Sequence, residues 1–326
     1  MSFRKLILII SAFAALSVSC KKDDEGENKP ALQGSMSIKG LPEFIEPKQT
    51  YTFTVEGAEH PEDKELNYYW RISPSQTKYD TTYTSASYTH TFSDTLQTYT
   101  VYCYAYADGY SNNSTFLYTT TMKGGRNGSI TGIDYPNDEI GEQFYQTIGE
   151  QTWITNNYGG QAFGTGFRNA DIMSNVFGRY CNYEEAVEAC QSLGSEWVLP
   201  TMEDWAELEE YVKGNLNGSK TVAAALMGDA ALNGETMWEY WPVVGDITNA
   251  SGFSAIPVGY ANLAANTFTG SYEYATFWTA TSVETDDAMA YYKYLIIGQP
   301  DLYTSQGDKE SFGASVRCIR KLSEVR

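Results

Sequence analysis

Histidine is almost missing from this chain: only His60 and His90 occur among 326 residues, and none follows. The longer second part of the sequence therefore holds no Ser-His or Cys-His couple and no imidazole ligand for zinc. Positive charge is scarce too. Lys and Arg number 22 against 41 Asp and Glu, a net charge of −19, which excludes a sequence-independent grip on nucleic-acid phosphates. Cysteine is sparse and odd in number, with Cys20, Cys103, Cys181, Cys190 and Cys318, so at least one thiol stays free or pairs outside the chain. Against these shortages stands an abundance of tyrosine, 26 residues to 14 of Phe.

The first apolar run, Leu6 to Leu16, is shorter than the ~20 residues a bilayer core demands. Arg4 and Lys5 precede it and Ser17 and Ser19 follow, a secretory-signal layout over residues 1–19. The segment resembles a bacterial lipoprotein signal, which implies cleavage before Cys20 and lipid on that cysteine. It departs at Ser17, where a large aliphatic residue is usual, and the alternative is an ordinary signal peptide. Residues 20–34 are charged and small and read as a flexible acidic tether that buries too little to fold. Within it Lys22, Asp23, Asp24 and Glu25 resemble the export signal of Bacteroidota lipoproteins; the alternative is a solvated spacer. The expected location is the outer membrane, lipid-anchored and facing the cell exterior, where disulfides are permitted.

From residue 35 to 122 the apolar pattern has period two. Tyr51, Phe53 and Val55 alternate with threonine, Leu66, Tyr68, Trp70 and Ile72 form a second stripe, and Tyr99, Val101, Cys103 and Ala105 a third. Short alternating strands between turn residues predict a β-sandwich with Trp70 in its core and Cys103 as a small buried hydrophobe. The stretch resembles Ig-like modules of the polycystic kidney disease type, although Trp70-Arg71-Ile72-Ser73-Pro74 replaces that family's Trp-Asp-Phe-Gly-Asp-Gly turn. Tyr102, Tyr104 and Tyr106 fall on the outer face, as cross-strand packing or as a stacking platform for sugars. Asp80-Thr81-Thr82 and Asp94-Thr95-Leu96 resemble the O-glycosylation motif of Bacteroidota secreted proteins, marking Thr81 and Thr95.

A Gly-rich linker, residues 123–129, leads into a second domain over 130–326. Asn182 with Glu185 predicts a capped helix start, with Tyr183, Ala186, Val187, Cys190 and Leu193 on one face and Gly194 at the end. Thr201 with Asp204 predicts a second helix, apolar at Met202, Trp205, Leu208 and Val212. Its Glu203, Glu207, Glu209 and Glu210 suit a solvated face rather than a catalytic pair.

Five motifs then occur in order: Ile148-Gly149-Glu150-Gln151-Thr152-Trp153; Glu196-Trp197-Val198-Leu199-Pro200-Thr201 with Asp204-Trp205; Ser251-Gly252-Phe253-Ser254-Ala255-Ile256-Pro257 with Gly259-Tyr260; Phe277-Trp278-Thr279-Ala280-Thr281-Ser282; and Ser311-Phe312-Gly313-Ala314-Ser315-Val316-Arg317-Cys318. Together they resemble the Fibrobacter succinogenes major paralogous domain. The resemblance implies kinship with C-type lectin-like and formylglycine-generating-enzyme folds. The expected architecture is thus an α+β C-type lectin-like C-terminal domain preceded by an all-β Ig-like sandwich. It also implies a disulfide between Cys190 and Cys318. Cys190 stands further before Trp197 than the family's first cysteine does, which leaves Cys181 as a competing partner.

Gln299-Pro300-Asp301 matches a turn that supplies calcium ligands in C-type lectins. No Trp-Asn-Asp triplet follows, and Pro and Asp are ordinary turn residues. Trp278, Asp301 and Tyr303 are the candidate ligand contacts; Trp153, Trp197 and Trp205 read as core. No cofactor is expected, with calcium at Asp301 as the alternative. The function expected is a binding or adhesion head for a glycan or surface protein. A structural surface component and an enzyme of the formylglycine-generating type are the alternatives, the latter disfavoured by the missing histidines.

Overall fold

The computed structural model describes residues 29–81, 83–123 and 130–321. The leader, Cys20 and the export residues Lys22, Asp23, Asp24 and Glu25 lie outside the described residues. In the first module the strands are β1 (Ser37–Lys39), β2 (Phe44–Ile45), β3 (Thr50–Glu56), β4 (Asn67–Ser73), β5 (Ser87–Thr91), β6 (Thr98–Tyr106) and β7 (Asn113–Thr121). They form two sheets, ordered β1-β3-β5 and β2-β7-β6-β4. Period two decides which side chains meet between them. Phe53, Val55 and Tyr88 from one sheet share a core with Trp70, Ile72, Tyr99, Val101 and Cys103 from the other. Trp70 lies edge-on to Phe53 at 5.3 Å, and its Nε1–H donates to Ser85 O at 3.0 Å. Burial pushes the Cys103 thiol up to about 12, as expected of a small core residue.

The second module begins with β8 (Ile130–Thr131), β9 (Glu139–Ile140), β10 (Gln143–Ile148) and β11 (Gln151–Ile154). Its helices are α1 (Ser174–Phe177), α2 (Tyr183–Gln191), α3 (Met202–Gly214) and α4 (Val222–Leu226). Both predicted helix starts form and both carry capping boxes: Asn182 accepts from the Glu185 amide and Thr201 from the Asp204 amide, and each acidic side chain accepts in return. The apolar stripe of α3 drives Trp205, Leu208 and Val212 into a core with Trp153, Phe253 and Phe277.

The remaining strands are β12 (Trp197–Val198), β13 (Ala231–Leu232), β14 (Glu235–Thr236), β15 (Tyr260–Asn262), β16 (Thr267–Thr269), β17 (Tyr274–Val283), β18 (Asp286–Ile296), β19 (Tyr303–Asp308), β20 (Phe312–Gly313) and β21 (Ile319–Arg320). They form small sheets, among them β12-β21-β11-β10-β9 and the meander β17-β18-β19. Among the described residues the fold is therefore β-rich with few helices. Cys190 on α2 is bonded to Cys318, just before β21, with an S–S distance of 2.07 Å. Cys181, the competing thiol, is free and fully buried.

Candidate functional site

The β17-β18-β19 meander has two unlike faces. Its register sets Thr276 opposite Tyr294 and Trp278 opposite Tyr292, then Tyr294 opposite Tyr303. Ala275, Phe277 and Leu295, pointing the other way, join the α3 core. Lys293 is buried on that side too, donating to Thr304 Oγ1 at 3.0 Å and facing Glu209 at 3.4 Å. On the outward face Tyr274, Tyr292, Tyr294 and Tyr303 are all half-buried. Tyr260 from β15 and Phe312 from β20 complete the surface.

Six rings thus form one continuous aromatic face. Tyr292 stacks on Phe312 at 4.6 Å, Phe312 meets Tyr260 at 5.6 Å, and Tyr260 meets Tyr274 at 5.9 Å. Tyr294 closes the ring, 6.2 Å from Tyr274 and 5.9 Å from Tyr292, and carries Tyr303 at 5.6 Å. Gly307 makes this possible. A Cβ there would come within 2.6 Å of the Phe312 ring, so any larger residue would lift Phe312 off the sheet.

The hydroxyls matter as much as the rings. Tyr303 donates to Gln299 Oε1 at 3.4 Å, while the hydroxyls of Tyr260, Tyr274, Tyr292 and Tyr294 engage no protein group among the described residues. Burial, then the nearby Asp301 carboxylate, raises the Tyr303 pKa; burial, then Tyr260 and Glu273, raises that of Tyr274. Tyr303 and Tyr274 therefore stay neutral near pH 7. The face offers flat apolar rings with rotatable donor-acceptor groups at their tips, inside a weakly negative rim.

Of the three candidate contacts, Tyr303 belongs to this face, and Asp301 is exposed at its edge in the turn before β19. Pro300 O, beside Asp301, accepts from the Ala223 amide at 2.9 Å, so the turn is fixed on α4. Among the described residues no group of three or more His, Cys, Asp or Glu gathers to hold a metal. Trp278 is corrected by the structure. It is fully buried, its Nε1–H donates to Cys181 O at 2.8 Å, and Tyr183 and Phe312 pack edge-on against it. It supports the aromatic face from beneath and presents nothing to a ligand. Tyr260, Tyr274, Tyr292, Tyr294 and Phe312 escaped sequence reasoning, although Tyr292 and Tyr294 at period two within an apolar strand were the available signal.

In the first module Tyr104 packs against Tyr69 at 5.0 Å and Tyr79 at 4.6 Å, and the Arg71 guanidinium lies 4.3 Å over Tyr102. That ladder is spent on cross-strand packing. Thr81 and Thr95 are both exposed, and Thr82 lies outside the described residues.

The second module is β-rich, displays an aromatic surface and buries Cys181, its free thiol among the described residues. The sequence model of the Fibrobacter succinogenes major domain (Fib_succ_major) matches residues 147–320, and the chain belongs to that family. No curated protein matches. Among solved structures the Yersinia pseudotuberculosis adhesin InvE shows 10% identity over 88% of this chain and 70% of that one. Its TM-score of 0.26 carries no argument about fold or function.

Proposed function

We propose that this chain is an outer-membrane lipoprotein, held by lipid on Cys20 and facing the exterior, whose C-terminal module is a binding head for neutral glycans. The observation that carries the reading is the face of six half-buried rings with four unengaged tyrosine hydroxyls. Sugar rings present apolar C–H faces and a rim of hydroxyls, which such a surface matches group for group. Polyanionic glycans would be repelled by Asp301, Glu273 and the net charge of −19. Binding is proposed to be independent of calcium, because ring faces and tyrosine hydroxyls meet a sugar without a metal. Binding rather than catalysis is also supported by the absence of histidine after residue 90 and by Cys181, whose thiol burial holds far above its ordinary range.

A glycan array probed with the purified chain, with and without calcium, is the direct test. Selective neutral hits are expected in both conditions, with affinity falling at least tenfold in the Tyr294→Ala/Tyr303→Ala variant. Hits that survive this double change would remove the aromatic face from the reading, and silence on the array would favour a structural surface component. The anchoring half is tested separately. Cys20→Ala should release the protein from the membrane fraction and abolish labelling by a fatty-acid analogue; an unlabelled wild-type protein would overturn it.

A further inference from the structure

A cleft of about 360 Å³ opens where the two modules meet, sharing no lining residue with the aromatic face. That volume lies within the range of small-molecule sites, about 300–1,000 Å³. Phe44 and Tyr118 of the first module line it together with Phe167, Phe177 and Tyr272 of the second, Phe44 and Phe167 packing against each other at 5.9 Å. Its polar groups are fewer and unevenly matched. Arg168, the cation of the lining, is already paired with Glu43 across the module boundary.

Glu235 is the group left over. It sits at the start of β14, after the Asn233-Gly234 turn, where φ values of 49° and 86° make the two-residue hairpin that this dipeptide favours. Its half-buried carboxylate meets no cation and no donor among the described residues, and burial alone raises its pKa. Asn233, also in the lining, has an Oδ1 shut from solvent that accepts no hydrogen bond. Two further lining residues hold backbones that bulky side chains avoid: Arg168 at φ 51° and Tyr272 at φ 67°. Left-handed non-glycine residues of this kind gather at ligand sites, where surrounding structure enforces them.

An unpaired carboxylate within aromatic walls is the arrangement that recognises an organic cation, through charge on one side and ring faces on the other. We infer that the cleft binds a small molecule carrying a protonated amine on a flat apolar body, with the ammonium at Glu235 and the body against the aromatic wall that includes Phe44 and Tyr118. The site is distinct from the glycan-binding surface and stands or falls without it.

Isothermal titration calorimetry of the full chain with tryptamine, against its uncharged counterpart indole-3-ethanol, tests the inference. Tryptamine should bind one to one and at least tenfold more tightly than indole-3-ethanol. Glu235→Gln should bring the two together, and Tyr118→Ser should weaken both. Tyr294→Ala/Tyr303→Ala, changing the other surface, should leave both unaltered. Thermal melting of each variant confirms folding, and Glu235→Gln removes an unpaired charge, so its melting point should hold or rise. Equal affinities for the two probes in the wild type, no tryptamine binding at 1 mM, or tryptamine binding untouched by Glu235→Gln would each overturn it.

Discussion

Arg317 is wholly buried, and among the described residues no carboxylate pairs with it. Burial lowers its pKa to about 9, still above neutral, so the guanidinium stays charged. It is held by acceptors and rings instead. Nε donates to Asn157 Oδ1 at 2.9 Å, Nη1 to Phe253 O at 2.6 Å and Ile154 O at 3.3 Å, and Nη2 to Ser254 O at 3.0 Å. The rings of Phe253 and Phe277 lie 4.7 and 5.3 Å from its centre. Ser254 sits at φ 58°, and Asn249 bonds both its amide and its hydroxyl at 2.8 Å, which aims its carbonyl at Arg317. The Ser-Gly-Phe-Ser and Val-Arg-Cys motifs are thus two halves of one clamp. Arg317→Met should strand these acceptors and destabilise the protein by about 3–5 kcal/mol in urea unfolding. Arg317→Lys should restore less than half of that, because an ammonium cannot serve a forked set of acceptors. A loss below about 1 kcal/mol for Arg317→Met would show that water replaces the guanidinium at little cost.

At the scale of elements, what the sequence revealed was local. The boxes at Asn182 and Thr201 need only four consecutive residues to form, and they do form. The alternation of β6 needs only its own pleat, and Tyr99, Val101, Cys103 and Ala105 are buried in turn. The aromatic face could not be read this way. Period two assigns Trp278 and Tyr292 to a common face but not which of them is covered; Phe312, arriving from β20, buries one and leaves the other half open. The cleft was hidden more deeply, since its walls come from segments near residues 44, 118, 167, 235 and 272, joined only by tertiary packing. Even there one local signal existed. The Asn233-Gly234 dipeptide marks a tight hairpin by itself, and it places Glu235 where its charge finds no partner.

For the whole molecule, the decisive comparison is between the contact joining the modules and the stability of each. Met122 is buried among Phe167, Met173 and Phe177, Phe44 lies 5.9 Å from Phe167, and Glu43 pairs with Arg168. Burying one Met and part of one Phe contributes about 2–4 kcal/mol. The ion pair, partly exposed on both sides, adds less than about 1 kcal/mol. Domains of this size are typically stable by about 5–15 kcal/mol each, so the contact is too weak to force a single cooperative transition. Scanning calorimetry of the full chain should therefore resolve two. The Cys190–Cys318 bond spans 128 residues, all within the second module. Closing such a loop removes denatured-state freedom worth about 5 kcal/mol in the chain-entropy model. At about 2–4 °C per kcal/mol for a module of this length, reduction should lower one transition by about 10–20 °C and leave the other in place, since the first module's single thiol, Cys103, is already free. One transition that moves as a whole on reduction would show instead that the modules fold as a unit, and that the cleft between them is a fixed cavity of that unit.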